Sequence, residues 1–180
     1  MPYIPSGGEV LDPPAILTSF GLAEGMFVAD LGCGTSGHFV FPAARMVGMK
    51  GKVYAIDILK SALAGIDSRR KIEGAANVEE VWADIEVYGG TKIPDNSVDR
   101  ALLVNVRGKL GMLKEAWRIL KNGGKLLVVD WKPTAAPFGP PTKDRRPSEA
   151  TQADAAQLGY KLEKEFDAGQ YHYGLIFMKA

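Results

Sequence analysis

From Met26 onward the chain alternates short apolar runs with longer amphipathic ones, and this alternation restricts its fold more than any other feature. MFVADLG (26–32), KVYAID (52–57), VEEVWAD (78–84), SVDRALLVN (97–105) and KLLVVD (125–130) read as strands, rich in β-branched residues and flanked by Gly, Asp or Asn. The segments between them are long enough for helices. The clearest is LGMLKEAWRILKNGG (110–124), where Leu110, Leu113, Trp117 and Leu120 share one face and Lys114, Arg118 and Lys121 the other. Gly123 and Gly124 are expected to cap that helix. Strand alternating with helix implies right-handed crossovers and a doubly wound, mostly parallel α/β sheet with helices on both faces.

The rhythm changes near the end. After a helical stretch at 147–159 come two strand-like runs, YKLEKEF (160–166) and YHYGLIFMK (171–179), joined by DAGQ. So short a connection permits a hairpin and forbids a parallel crossover. The sheet is therefore expected to have seven strands and an antiparallel C-terminal strand. Residues 1–25 form an N-terminal cap or loop, 26–132 the core, 133–147 a proline-rich loop, and 148–180 the final helix and hairpin of one domain. The stretch 132–147 carries five prolines, aromatic Phe138 and basic Lys143, Arg145 and Arg146. It reads as a lid over a substrate or a phosphate contact.

Composition narrows the class. With 22 basic and 21 acidic side chains the formal charge is +1, so no global field draws in nucleic acid or an anionic membrane. The basic patch SRRK (68–71) reads as a solvated helix face. One cysteine, Cys33, forms no internal disulfide and fits a reducing, cytoplasmic setting. No apolar run is long enough for a membrane span or a secretory signal. No His, Cys and carboxylate cluster has metal-ligand spacing.

VADLGCGTSG (28–37) is the most informative stretch: a strand ends at Asp30, a glycine turn follows, and a helix opens near Gly37. Gly32 and Gly34 let the backbone turn tightly and approach a ligand, and the turn's N–H groups favour an electronegative group. Asp57, ending the next strand, can accept hydrogen bonds from both hydroxyls of a ribose. Spacing alone leaves the ligand open. Gly32, Gly34 and Gly37 also satisfy G-x-G-x-x-G, with Asp57 20 residues beyond, so a nicotinamide dinucleotide oxidoreductase is an alternative. The chain has little room for a separate substrate domain. Tyr160 and Lys164 stand at the Y-x-x-x-K spacing of short-chain dehydrogenases, but in a strand they do not act as that helical pair.

Five segments together resemble the class I S-adenosylmethionine-dependent methyltransferases, with a flavour of the ubiquinone/menaquinone-biosynthesis-like group. VADLGCGTSG resembles the family's first motif, KVYAID its ribose-binding strand, NVEEVWADIE its adenine-contacting segment, IPDNSVDRALLVN its fourth strand and LKNGGKLLVVDW its fifth. The resemblance implies a Rossmann-like fold and S-adenosylmethionine as cofactor, with S-adenosylhomocysteine as product. It also implies roles. Asp30 would orient the methionine amino group, while Gly32, Cys33, Gly34, Thr35 and Gly37 would line the methionine and ribose. Asp57 would hold the ribose, Ile58 would pack on the adenine, Asp84 and Ile85 would meet the adenine edge and face, and Asn105 would border the methionine and the acceptor.

Methyl transfer from a sulfonium needs alignment and exclusion of water, and a base only where the acceptor must lose a proton. No catalytic residue is therefore fixed by the pattern. His38, Asn105, Arg107, Lys132 and His172 are candidates, the plainer readings being a helix-start position for His38, a strand-end cap for Asn105, solvated charges for Arg107 and Lys132, and a solvent-facing strand position for His172. Cys33 reads as a small packing residue. The expected partner is a small-molecule acceptor rather than nucleic acid or membrane, met by a monomer or homodimer. A non-catalytic domain that binds S-adenosylmethionine is the remaining alternative.

Overall fold

The computed structural model describes residues 10–106 and 109–180. Seven strands form one sheet: β1 (Phe27–Leu31), β2 (Lys52–Asp57), β3 (Val78–Trp82), β4 (Val98–Val104), β5 (Leu120–Trp131), β6 (Tyr160–Asp167) and β7 (His172–Lys179). Their order is β3-β2-β1-β4-β5-β7-β6. The first five run parallel, and β7 lies antiparallel between β5 and β6. The expected hairpin is thus present, with β6 rather than the last strand forming the sheet edge. In β6, residues 161–165 are exposed and alternate charge with Leu162, a sequence that discourages edge-to-edge pairing.

Helices α1 (Pro13–Ser19), α2 (Val40–Val47) and α3 (Lys60–Glu73) cover one face; α4 (Leu110–Ile119) and α5 (Ser148–Gln157) cover the other. The first layer buries Leu17, Phe41 and Ile66 against Val28, Leu102 and Leu127. The second buries Leu113 and Ile119 against Leu31, Leu103, Leu126 and Phe177. Because both faces are covered, β4 and β5 carry the continuous apolar runs Ala101–Val104 and Leu126–Val129.

Three local expectations need correction. Within the expected N-terminal loop, residues 13–19 are helical: Asp12 accepts from the Ala15 amide at 3.1 Å, and two prolines occupy the first helical positions. The long helix stops at Ile119, and Leu120 is already extended and paired with Val98, so Gly123 and Gly124 do not cap it. Gly123, at φ 76°, instead shapes the connection that brings Lys125 beside Arg100. The polar face assigned to α4 is also wrong at Arg118, which is buried beside a fully buried Glu115.

The proline-rich loop is organised from within. Arg145, 7% exposed, donates to the carbonyls of Thr134 (2.6 Å), Pro140 (2.9 Å), Phe138 (3.2 Å) and Lys132 (3.3 Å). Its guanidinium lies 4.9 Å from the Trp131 ring centroid, and Phe138 meets both Trp131 and Tyr171 edge-on. Gly139 sits so close to the Trp131 ring that a Cβ there would overlap it. Arg145 is therefore not a free phosphate contact, and Arg146 is paired with Asp154.

His172, expected to face solvent, is fully buried under this loop, with its ring centroid 4.2 Å from that of Trp131. Neither ring nitrogen has a partner among the described residues. Burial, with Arg145 and Lys132 nearby, lowers its pKa to about 4. A folded pKa below the unfolded value contributes stability above about pH 6.5 that is lost as pH falls toward 4. The effect amounts to about 3 kcal/mol. Thermal melts of the wild type and His172→Phe from pH 7.5 to 4 are expected to diverge, the wild type losing stability relative to the variant as pH falls below about 6.5.

Candidate active site

The switch point of the sheet lies between β1 and β4, where connections leave in opposite directions and a crevice opens at the strands' carboxyl ends. The glycine turn crosses it. The amides of Gly32 and Cys33 both donate to the Ile56 carbonyl, at 2.8 and 3.0 Å. The Gly34 amide donates to Asp57 Oδ2 at 3.0 Å. Gly32 has φ 91°, and a Cβ on it would collide with the Val106 side chain. The turn is braced from behind by α3. Arg69 donates to the Ser36 carbonyl at 2.7 Å, and Gly65 lets that helix approach until a Cβ there would stand 2.7 Å from the Thr35 carbonyl oxygen. The SRRK patch is otherwise an ion-paired face: Arg70 meets Asp67 and Glu80, and Lys71 meets Asp67.

Two hollows meet at Gly32 and Val106. The larger, about 460 Å³, is lined by Asp57, Ile58, Ala83, Asp84, Ile85, Glu86 and Met112. The smaller, about 240 Å³, is lined by Asp30, Cys33, Gly34, Ser36, His38, Phe39, Val104 and Asn105. Thr35 and Gly37 line neither. Thr35 faces α3, and Gly37, at φ 56°, packs on Phe41 and Ile66. Regular helix starts at Val40, later than the sequence suggested. Phe39, Val106 and Met112 were not read from the sequence, because no motif marks a lining side chain supplied by a loop or a neighbouring helix; Ser36 lies within the glycine motif but carried no assigned role.

In the larger hollow Asp57 uses Oδ2 for Gly34 and Oδ1 for the Leu59 amide (2.9 Å). Each oxygen keeps a second lone pair for a ligand hydroxyl. Asp84 is exposed and accepts from the Glu86 amide at 2.9 Å, while Ile85 is buried. Ile58 is 55% exposed. Its carbonyl accepts from Trp82 Nε1 at 2.9 Å, and Lys60 lies 4.3 Å above the Trp82 ring.

The smaller hollow is rich in acceptors. Asp30 is buried, and burial, then the Asp57 charge, push its pKa up to about 7. Asn105 has φ 57°, and its Oδ1 is buried without a partner among the described residues. A group offering several N–H donors and a positive charge would satisfy both. Burial and the two aspartates push the Cys33 thiol well above its usual range, so it stays protonated and packs. His38 is half-buried, with Nε2 3.4 Å from the Leu11 carbonyl oxygen.

The other candidates stand elsewhere. Lys132 pairs with Asp167 at 2.7 Å, His172 is sealed beneath Trp131, and Arg107 lies outside the described residues. Tyr160 and Lys164 lie on β6, where Tyr160 donates to the Leu113 carbonyl and Lys164 to Ser19. They form no catalytic pair. Among the described residues no cluster could hold a metal, and no helix is long and apolar enough to cross a membrane.

The shifted acid has a measurable cost. Asp30's folded pKa lies above its unfolded value, so stability is complete below about pH 4 and declines as pH rises to 7. The loss reaches up to about 4 kcal/mol at pH 8. Asp30→Asn is expected to raise the melting temperature at pH 8 and to leave it nearly unchanged at pH 4. Equal effects at the two pH values would contradict this assignment.

Comparison with known proteins identifies the family to which this fold belongs. An S-adenosylmethionine-dependent methyltransferase from Aquifex aeolicus superposes with a TM-score of 0.89 at 30% identity, covering 98% of this chain and 94% of that one. A Thermotoga maritima S-adenosylmethionine-dependent O-methyltransferase shares the fold with a TM-score of 0.71 at 20% identity, covering 100% of this chain and 68% of that one. The ubiquinone/menaquinone biosynthesis C-methyltransferase of Escherichia fergusonii is 39% identical over 124 residues, 66% of this chain and 48% of that protein. The chain thus spans about half the length of the curated relatives it matches. A family model described as a methyltransferase domain matches residues 22–171. With that match and the glycine turn it includes, the chain belongs to the class I S-adenosylmethionine-dependent methyltransferase family.

Proposed function

We propose that this chain transfers the methyl group of S-adenosylmethionine to a small organic acceptor. The observation that carries the reading is the meeting of two hollows at Gly32 and Val106, one bearing Asp57 and Asp84, the other Asp30 and Asn105. The acceptor sets match the two ends of that cofactor. Asp57 would accept from the ribose hydroxyls, and Asp84, Ile85 and Ile58 would meet the adenine. Asp30 and Asn105 would take the ammonium of the methionine end. The missing Cβ at Gly32, with Val106 opposite, is the close approach that a ligand lying across both hollows requires.

When bound, S-adenosylmethionine supplies a methyl group on a sulfonium, already activated toward an attacking lone pair. The chain's own residues then orient and exclude water. Phe39, Val104 and the neutral Cys33 thiol give the smaller hollow apolar walls beside its acceptors. His38, which borders that hollow, would accept a proton where the acceptor must lose one. Lys132, committed to Asp167, would not.

The named activity of the ubiquinone/menaquinone relatives supports a small-molecule acceptor. In this reading residues 26–132 hold the cofactor, 133–147 cover the acceptor side and 148–180 complete the sheet, in a cytoplasmic monomer or homodimer.

Calorimetric titration with S-adenosylmethionine, S-adenosylhomocysteine and NADH tests the proposal. The first two are expected to bind and NADH is not. Asp57→Ala removes two hydrogen bonds to a charged group, roughly 1.5–3 kcal/mol each, so affinity should drop at least about a hundredfold. Unchanged affinity in that variant would sink the ribose assignment, and binding of NADH alone would sink the methyltransferase reading.

A further inference from the structure

The wall of the larger hollow that carries Asp84, Ile85 and Glu86 belongs to an irregular segment, 83–97, between β3 and β4. Two of its non-glycine residues, Lys92 (φ 56°) and Asn96 (φ 51°), are held in the left-handed region. Helix α4 holds this segment in two places. Near the hollow, Lys109 Nζ meets Glu86 Oε1 at 2.5 Å. There Gly111 also packs so closely that a Cβ would come 2.6 Å from the Glu86 carbonyl oxygen.

The second tether lies one turn further along. Glu115, fully buried, accepts from the Gly89 amide (2.7 Å), the Thr91 amide (3.2 Å) and the Thr91 hydroxyl (2.6 Å). Arg118 donates to the Ile93 carbonyl and to Asp95 Oδ1, each at 2.6 Å, and to Thr91 Oγ1 at 3.0 Å. Its remaining bonds run to both oxygens of Glu115, at 2.6 and 3.0 Å. Burial works against the Glu115 charge, but the bonds from Arg118 and Thr91 prevail and hold its carboxyl below the usual carboxylate range. A buried ion pair of this kind adds little net stability over apolar side chains of the same volume. Here, however, nearly every bond not spent inside the pair reaches the wall segment.

We propose that Glu115 and Arg118 are positioning residues, which fix the 89–95 stretch and through it the wall that receives the cofactor's nucleoside end. The inference rests on the cofactor reading above. The pair touches neither hollow and acts only through the segment it holds.

The test compares Glu115→Gln, Arg118→Lys and Thr91→Val with Asn77→Ala. Thr91→Val removes the hydroxyl shared by the pair and leaves the ion pair intact. Asn77 serves as a stability control, because its buried amide donates to the Ala44 and Gly48 carbonyls (2.8 and 2.9 Å) away from both hollows. The probes are S-adenosylhomocysteine and 5′-methylthioadenosine, which lacks the amino-acid end, titrated well below each variant's melting temperature. The Glu115 and Arg118 variants are expected to weaken both probes about tenfold, the loss of one charge-assisted bond, and Thr91→Val roughly threefold. Asn77→Ala should lower the melting temperature while leaving both affinities as in the wild type. If folded variants bind as tightly as the wild type, the inference is overturned and the cofactor reading stands. If Asn77→Ala weakens both probes as much as the others, affinity follows general stability and the inference is likewise overturned. A wild-type chain that binds neither probe overturns the cofactor reading and this inference with it.

Discussion

Three consecutive amides of the glycine turn, those of Gly32, Cys33 and Gly34, end on β2, two on the Ile56 carbonyl and one on the Asp57 carboxylate. Through these bonds the turn closing β1 is shaped by its neighbouring strand, and the position of the Asp57 carboxylate is fixed by the turn in return. Arg69 and Gly65 of α3 brace the other side. The crevice at the switch point thereby becomes a rigid edge rather than a gap between loops. Gly32 can then face Val106 directly, and the two hollows join only because nothing larger than hydrogen stands there.

Local pattern carried far. Strand periodicity, the short DAGQ connection and the run of apolar β5 were enough for a seven-stranded doubly wound sheet with an antiparallel C-terminal strand, because each is a constraint between near neighbours. The N-terminal helix has a local start signal in Asp12, Pro13 and Pro14, but a segment of seven residues is too short for helical periodicity to stand out. Arg118, Arg145 and His172 were illegible for a different reason. A charged or titratable side chain is assigned to solvent by default, and its burial depends on partners far away in sequence. Arg118 needed Thr91, Ile93 and Asp95. Arg145 needed four carbonyls of a loop whose path the prolines only suggest.

The same division runs through the site. Asp30, Gly32, Gly34, Asp57, Asp84 and Ile85 sit in or beside strand ends, where a motif of a few residues determines the backbone and so the direction of the side chain. Val106 and Met112 reach the hollows from the ends of other elements, and Phe39 from the start of a helix that begins later than the turn suggests. Thr35 belongs to the motif in sequence but is turned toward α3, because the close contact with Gly65 uses that side of the turn.

Groups that cost stability collect where a ligand would compensate them. Asp30 is buried beside a second carboxylate, and Asn105 holds a left-handed backbone with its carbonyl oxygen unpaired. An apolar core free to optimise stability would keep neither. A cation with several N–H donors would relieve both at once, lowering the Asp30 pKa and satisfying Asn105 Oδ1 in one step. His172 differs, since its unpaired nitrogens are sealed under Trp131 and the Arg145-centred loop rather than open to a hollow. Protonating it would place a third cation beside Arg145 and Lys132, so that histidine limits the loop's stability in acid. The cost at Asp30 and Asn105 is therefore one that a cationic ligand in the hollow would relieve, and the cost at His172 is one that it would not.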